Sequence, residues 1–153
     1  MNEGKKFEKD FENSIPQYTW YYRIKDSSSS WSNSNNSRFT QKSPCDYIIF
    51  KGGKLYLLEL KSHKGKSLPL ATIREQQLLY LSNLNFTDVI GYFIINFRDI
   101  EETYAVEGYK IKNIDRKSIS LEFLKQNGIK IPQTIKRTRY TYDLSNIWRI
   151  RND

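Results

Sequence analysis

The sequence predicts an α/β domain, a β-sheet flanked by helices. Two short runs rich in β-branched and aromatic residues, Tyr47–Phe50 and Leu55–Leu60, flank Lys51-Gly52-Gly53-Lys54. A Gly-Gly pair between such runs marks a hairpin, because a tight two-residue turn needs positive φ at both central positions. Both faces of this hairpin are apolar. Ile48, Phe50, Leu55 and Leu57 share one face, and Tyr47, Ile49, Tyr56, Leu58 and Leu60 share the other, so cover is expected on both sides. Helical periodicity appears before and after the hairpin, and Val89–Phe97 reads as a continuous apolar strand, buried on both faces.

The elements follow in order. Glu3–Ser14 reads as a helix, with Phe7, Phe11 and Ile15 on one stripe, Glu8 and Glu12 beside it, and Pro16 as the stop. Glu8 alone reads as an ordinary helix residue pairing with a lysine. Tyr18–Lys25 is a strand by its aromatic content. Asp26–Ser43 is a polar, serine-rich stretch that cannot bury enough to order itself. Within it, Trp31 either stacks on a base or wedges into a junction, or folds back on the protein, and Arg38 and Lys42 lie on the return. Ser62–Ser67 reads as a flexible basic loop, in which Lys64 and Lys66 are equally a solvated turn or a phosphate contact. Thr72–Asn83 forms a second helix with Ile73, Gln77, Tyr80, Leu81 and Leu84 on one stripe. An amide on such a stripe must find a partner; for Gln77 that is a backbone group, a metal ligand or the attacking water. Glu101–Val106 is a further strand. A third helix is capped by Ser118 or Ser120, turns Leu121 and Leu124 inward and stops at Gly128. A basic tail interleaved with Tyr140, Tyr142 and Trp148 closes the chain.

At 153 residues the chain is one domain, 1–153, with a loop or stalk at about 27–42. A formal charge of +8, from 25 Lys+Arg against 17 Asp+Glu, points to an acidic partner, with nucleic acid ahead of membrane. One cysteine leaves no intramolecular disulfide, and with one histidine it excludes a Cys/His zinc cluster. No run has the apolar length of a membrane span, and the chain reads as cytoplasmic.

The hairpin fixes the candidate site. Counting outward from Gly52-Gly53, Lys51 faces Lys54, Phe50 faces Leu55, Ile48 faces Leu57, and Asp46 faces Glu59, with Lys61 two residues on along the same face. Opposed carboxylates repel. A divalent cation such as Mg²⁺, which takes carboxylate oxygens plus waters, resolves the repulsion. The plainer reading is a surface triad in which Lys61 neutralises Glu59. The apolar faces around it favour the metal, since charges at the end of a covered strand have a partner or a job.

Asp46 followed by Glu59-Leu60-Lys61 resembles the PD-(D/E)xK nuclease superfamily. Gly4-Lys5-Lys6-Phe7-Glu8, Pro44, Lys64-Gly65-Lys66-Ser67-Leu68-Pro69-Leu70, Ile73-Arg74-Glu75-Gln76-Gln77 and Lys117-Ser118-Ile119 narrow this. Together they resemble the RecU-type Holliday junction resolvases, over Gly4 to about Gly128. The resemblance implies a restriction-endonuclease-like mixed β-sheet flanked by helices, a homodimer, and Mg²⁺- or Mn²⁺-dependent cleavage of four-way DNA junctions. It implies Asp46 and Glu59 as metal ligands and Lys61 as the residue that positions water or stabilises developing charge. Glu8 falls in the acidic position of the first helix and Gln77 in the amide position behind the ligands. Trp31, Arg38, Lys42, Lys64, Lys66 and Arg74 are the implied DNA contacts, and Ser27–Lys42 stands where the family has its stalk. The stretch is serine-rich and short of charge, and the chain starts close to its first helix, which suggests a compact version of the family. The rivals are a nuclease of the same fold acting on duplex DNA, and a non-catalytic DNA-binding module, against which intact Asp46, Glu59 and Lys61 argue.

Overall fold

The computed structural model describes residues 2–25, 43–84 and 86–149. Trp31, Arg38, Lys42 and nearly all of the serine-rich stretch lie outside these. The chain runs α1 (Glu3–Asn13), β1 (Trp20–Arg23), β2 (Tyr47–Lys51), β3 (Lys54–His63), β4 (Ser67–Pro69), a 3-10 turn (Leu70–Thr72) and α2 (Glu75–Ser82). It continues through β5 (Val89–Phe97), β6 (Glu102–Glu107), α3 (Gly108–Lys112), β7 (Ser118–Ser120), α4 (Leu121–Asn127), β8 (Ile129–Ile131), β9 (Gln133–Lys136) and β10 (Arg139–Tyr142).

A six-stranded sheet of order β1-β2-β3-β5-β6-β8 is the frame. Only β3 and β5 pair in parallel; the other neighbours are antiparallel, so the sheet is mixed. The β2–β3 hairpin forms in the expected register from Lys51↔Lys54 to Tyr47↔Leu58. Gly52 and Gly53 both have positive φ, 60° and 77°, as a two-residue primed turn demands.

The sheet is covered on both faces, and the two hairpin faces lead to different cores. Tyr47, Ile49, Tyr56, Leu58 and Leu60 pack with Phe7 and Phe11 of α1 and with Tyr142, Leu144 and Ile147. Leu57 packs on the other side with Leu68, Ile73, Leu81, Ile119 and Leu124. On that second face cover thins toward the turn: Ile48 and Leu55 are half-buried and Phe50 is exposed.

Local chemistry sets the ends of the helices. Asn2 caps α1, its side chain accepting the Lys5 N–H at 2.8 Å, and fully buried Phe11 contributes about 1.5–3 kcal/mol of apolar burial. Ser120, one of the two serines considered, caps α4 through the Phe123 N–H at 3.1 Å. Gly128 does end α4, in an extended conformation. What favours glycine there is space, since a Cβ would stand 2.8 Å from the Leu124 carbonyl oxygen and 3.0 Å from that of Ala105.

Two expectations change. The second helix begins at Glu75 rather than Thr72, because Leu70–Thr72 form a 3-10 turn and Ile73 and Arg74 are extended. Its inward arc is therefore Gln77, Leu78, Leu81 and Ser82, and Tyr80 is exposed. The basic loop after β3 is also pinned rather than loose. Gly65 donates its N–H to Asp99 Oδ2 at 2.9 Å, and Lys66 accepts from the Leu121 N–H at 2.8 Å. From Ser67 the chain enters β4, which pairs with β7.

Candidate active site

The register puts Glu59 and Lys61 on one face of β3, toward α2, with Lys61 Nζ 3.3 Å from Glu59 Oε1. Glu59 is 4% exposed, and its Oε2 has no hydrogen-bond partner among the described residues. Gln77 enters from α2, also buried, close enough for its amide to favour the ionised form of Glu59. Its Oε1 likewise lacks a partner. Two orphaned oxygens in one buried site are uncommon in a folded protein and call for an explanation.

Asp46 departs slightly from the simple count. Its N–H donates to the Leu58 carbonyl at 2.9 Å, although Leu58 already faces Tyr47 in the ladder. Two residues against one make a β-bulge, a device that re-aims side chains beside active sites. The Asp46 carboxylate accepts the Leu60 N–H at 2.7 Å. It remains close enough to Glu59 for each to act on the other's charge.

The electrostatics follow from burial. Glu59 is raised to about 8, first by burial and then by the Asp46 charge, with Lys61 and Gln77 opposing. Burial also raises Asp46, against the Leu60 N–H, Lys61 and Arg23. Glu8 of α1 is raised by burial and by Asp46, against Arg23. Thus Asp46, Glu59, Lys61 and Gln77 act on one another, and Glu8 is linked to them through Asp46. Lys64, Lys66 and Arg74 are exposed on the flanks.

Arg23 is the residue that sequence reasoning missed. Its Nη2 lies 2.7 Å from Glu8 Oε2. The only sequence signal was strand alternation, which sets Arg23 on the same face of β1 as Tyr21; the pairing Arg23↔Tyr47 brings it to the site.

Among the described residues no three His, Cys, Asp or Glu side chains gather into a cage of their own. The donor set still fits Mg²⁺, which is commonly held by one or two carboxylates and completes its shell with waters and substrate phosphate oxygens. The unpartnered Glu59 Oε2 beside Asp46 supplies that pair.

A mixed sheet covered on both faces, with Asp and Glu-x-Lys at the open end of its hairpin, places the chain in the restriction-endonuclease-like fold class. Residues 17–143 match the family described as "Recombination protein U". The chain belongs to that family. A "Holliday junction resolvase RecU" from Mycoplasmopsis pulmonis (strain UAB CTIP) is 35% identical over 91 residues, 60% of this chain and 58% of that protein. Another, from Lactococcus lactis subsp. cremoris (strain SK11), is 32% identical over 100 residues, 61% of this chain and 46% of that protein. The chain spans about half the length of these curated relatives. The "SPbeta prophage-derived uncharacterized protein YotM" of Bacillus subtilis (strain 168) is 29% identical and aligns over 95% of this chain and 85% of its own. The structure of Archaeoglobus fulgidus Hjc, a Holliday junction resolvase from an archaeal hyperthermophile, has a TM-score of 0.51 at 11% identity. It covers 73% of this chain and 82% of that one, a likeness of fold.

Proposed function

We propose that the protein is a cytoplasmic, Mg²⁺-dependent endodeoxyribonuclease that resolves four-way DNA junctions by paired nicks. The observation that carries this is buried Glu59, its Oε2 unpartnered, set between Asp46 and Lys61. The names of the relatives supply the junction. Asp46 and Glu59 would hold Mg²⁺ or Mn²⁺; such an ion polarises the scissile phosphate and lowers the pKa of bound water. Lys61 favours the ionised form of Glu59 against burial and Asp46, and offers an ammonium to the charge that develops on the phosphate. Gln77 orients Glu59 or the attacking water through its amide. Glu8 adds a further carboxylate from α1. Lys64, Lys66 and Arg74 contact phosphates, which fixes register without reading sequence; Trp31, Arg38 and Lys42 are assigned to the DNA side on the resemblance alone. A homodimer would set two sites about a two-fold axis, as symmetrical nicking requires.

The test is cleavage of a synthetic four-way junction and a matched linear duplex, with Mg²⁺ or EDTA, by the wild type and Asp46→Asn. Paired nicks confined to the junction, lost with EDTA and in the variant, are expected. Equal cutting of the duplex would keep the nuclease and remove the junction preference. Junction binding without any cutting would leave a binding module.

A further inference from the structure

The α1 acidic pair holds a cation of the protein's own. Glu8 and Glu12 stand one helical turn apart, and Arg23 reaches them from β1. Its Nη2 is 2.7 Å from Glu8 Oε2, and its Nη1 is 4.0 Å from Glu12 Oε2. The two carboxylates are held unequally. Glu12 also accepts from the Tyr21 hydroxyl at 3.1 Å, and the Tyr47 hydroxyl stands 3.5 Å from both Glu12 Oε2 and the Glu8 carbonyl oxygen. For the Glu8 carboxylate, Arg23 is the one hydrogen-bond partner among the described residues. Glu8 is therefore the member able to turn, and the Asp46 charge bears on it. Arg23 is half exposed, with 48% of its side chain accessible, and a shift of about 1 Å would bring Nη1 within hydrogen-bond range of Glu12.

We infer that Arg23 competes with a divalent cation for Glu8 and moves over to Glu12 when the ion takes that carboxylate. The inference rests on the metal-dependent reading above. Arg23 acts through Glu8 and is a positioning residue. A guanidinium on a long stem can serve both places because Glu12 is already held by the Tyr21 hydroxyl and needs no rearrangement to receive it. The arrangement sets one guanidinium charge against the two α1 carboxylates without the ion, and gives Arg23 a defined second place once the ion has bound.

Mn²⁺ binding tests this, measured by titration calorimetry on the full chain without DNA, for the wild type, R23Q, R23K, E12Q, R23Q/E12Q and D46N. Removing the competing charge in R23Q should tighten binding about two- to fivefold, the range for a half-exposed charge pair. R23K keeps the charge and should stay within about twofold of the wild type. E12Q should weaken binding, and should lose most of that effect once Arg23 is gone, because coupled residues are non-additive. Equal or weaker binding by folded R23Q overturns the inference, as does an E12Q effect of the same size with and without Arg23. Wild type and D46N binding alike, or neither binding, overturns the metal reading itself and the inference with it.

Discussion

The Asp46 carboxylate accepts the backbone N–H of Leu60 at 2.7 Å, so one acidic residue of the site is tied to the strand that carries the other. The bond serves position as much as charge. Asp46→Asn keeps an oxygen for that N–H and removes the charge that faces Glu59. Its melting temperature in EDTA should equal or exceed the wild type, while Mg²⁺-dependent nicking falls by more than about 100-fold, the scale of a lost electrostatic group in an active site. Asp46→Ala should lose activity and also about 1–3 kcal/mol of stability, because the Leu60 N–H is then unsatisfied. Thermal melts beside nicking assays separate the two. A strongly destabilised Asn variant would contradict the assignment.

Glu59 gives the metal-free protein its largest site-derived pH dependence, with Asp46 and Glu8 shifted in the same direction. Burial and Asp46 raise Glu59 from 4.5 to about 8. The unfolded chain ionises this group near 4.5, while the folded chain keeps its proton until about 8. The native state therefore binds more protons across that window, and stability falls as pH rises from about 4.5 to 8. Glu59→Gln removes this residue's share of the slope, while Asp46 and Glu8, also raised, keep theirs. In EDTA at pH 8 it should melt several degrees higher than the wild type, at about 2–4 °C per kcal/mol for a chain of this size, with the difference gone near pH 4.5. A variant less stable at pH 8 would show that ionised Glu59 is well satisfied by Lys61 alone.

Much of this site was legible because a two-residue turn fixes cross-strand partners by counting. That count held through Tyr47↔Leu58, and it stopped at Asp46, where a bulge sets two residues against one. A bulge depends on backbone hydrogen bonds that no side-chain alternation reveals. Tyr80 failed for a related reason: the 3-10 turn after Pro69 and the extended Ile73 and Arg74 delay the helix, which changes which residues face inward. Gln77 kept its place because it and Leu81 lie four apart in either phase. Arg23 could not be found from the chain alone, since its role depends on β1 pairing with β2 and on the α1 carboxylates reaching that edge of the sheet.

The helix that carries Gln77 sits directly on glycine backbone. A Cβ on Gly108 would stand 2.7 Å from the Leu81 carbonyl carbon and oxygen, and one on Gly91 would stand 2.9 Å from the same oxygen. Neither contact is with a side-chain end that can swing aside. Gly108→Ala should push α2 outward and cost about 1–3 kcal/mol, as overpacking does. Gln77 lies one turn before Leu81, so activity should fall even at temperatures where the variant is folded. Denaturant melts and nicking rates at low temperature check this; full activity in a destabilised variant would show that the amide position is not critical.

Lys64 and Lys66 follow directly from the strand of Glu59 and Lys61, and both are exposed. Because Asp99 holds Gly65 and Leu121 holds Lys66, the loop presents its two ammonium groups from a fixed backbone. If each meets one phosphate, Lys64→Gln with Lys66→Gln should lower the slope of log affinity against log salt by about 2, at about 0.9 per phosphate. The loss should be similar for junction and duplex, since phosphate contacts carry no sequence information. Filter binding at several salt concentrations, with Ca²⁺ or EDTA to block cleavage, measures it. An unchanged slope would make this loop a solvated turn, and a loss confined to junctions would make it a reader of the branch point.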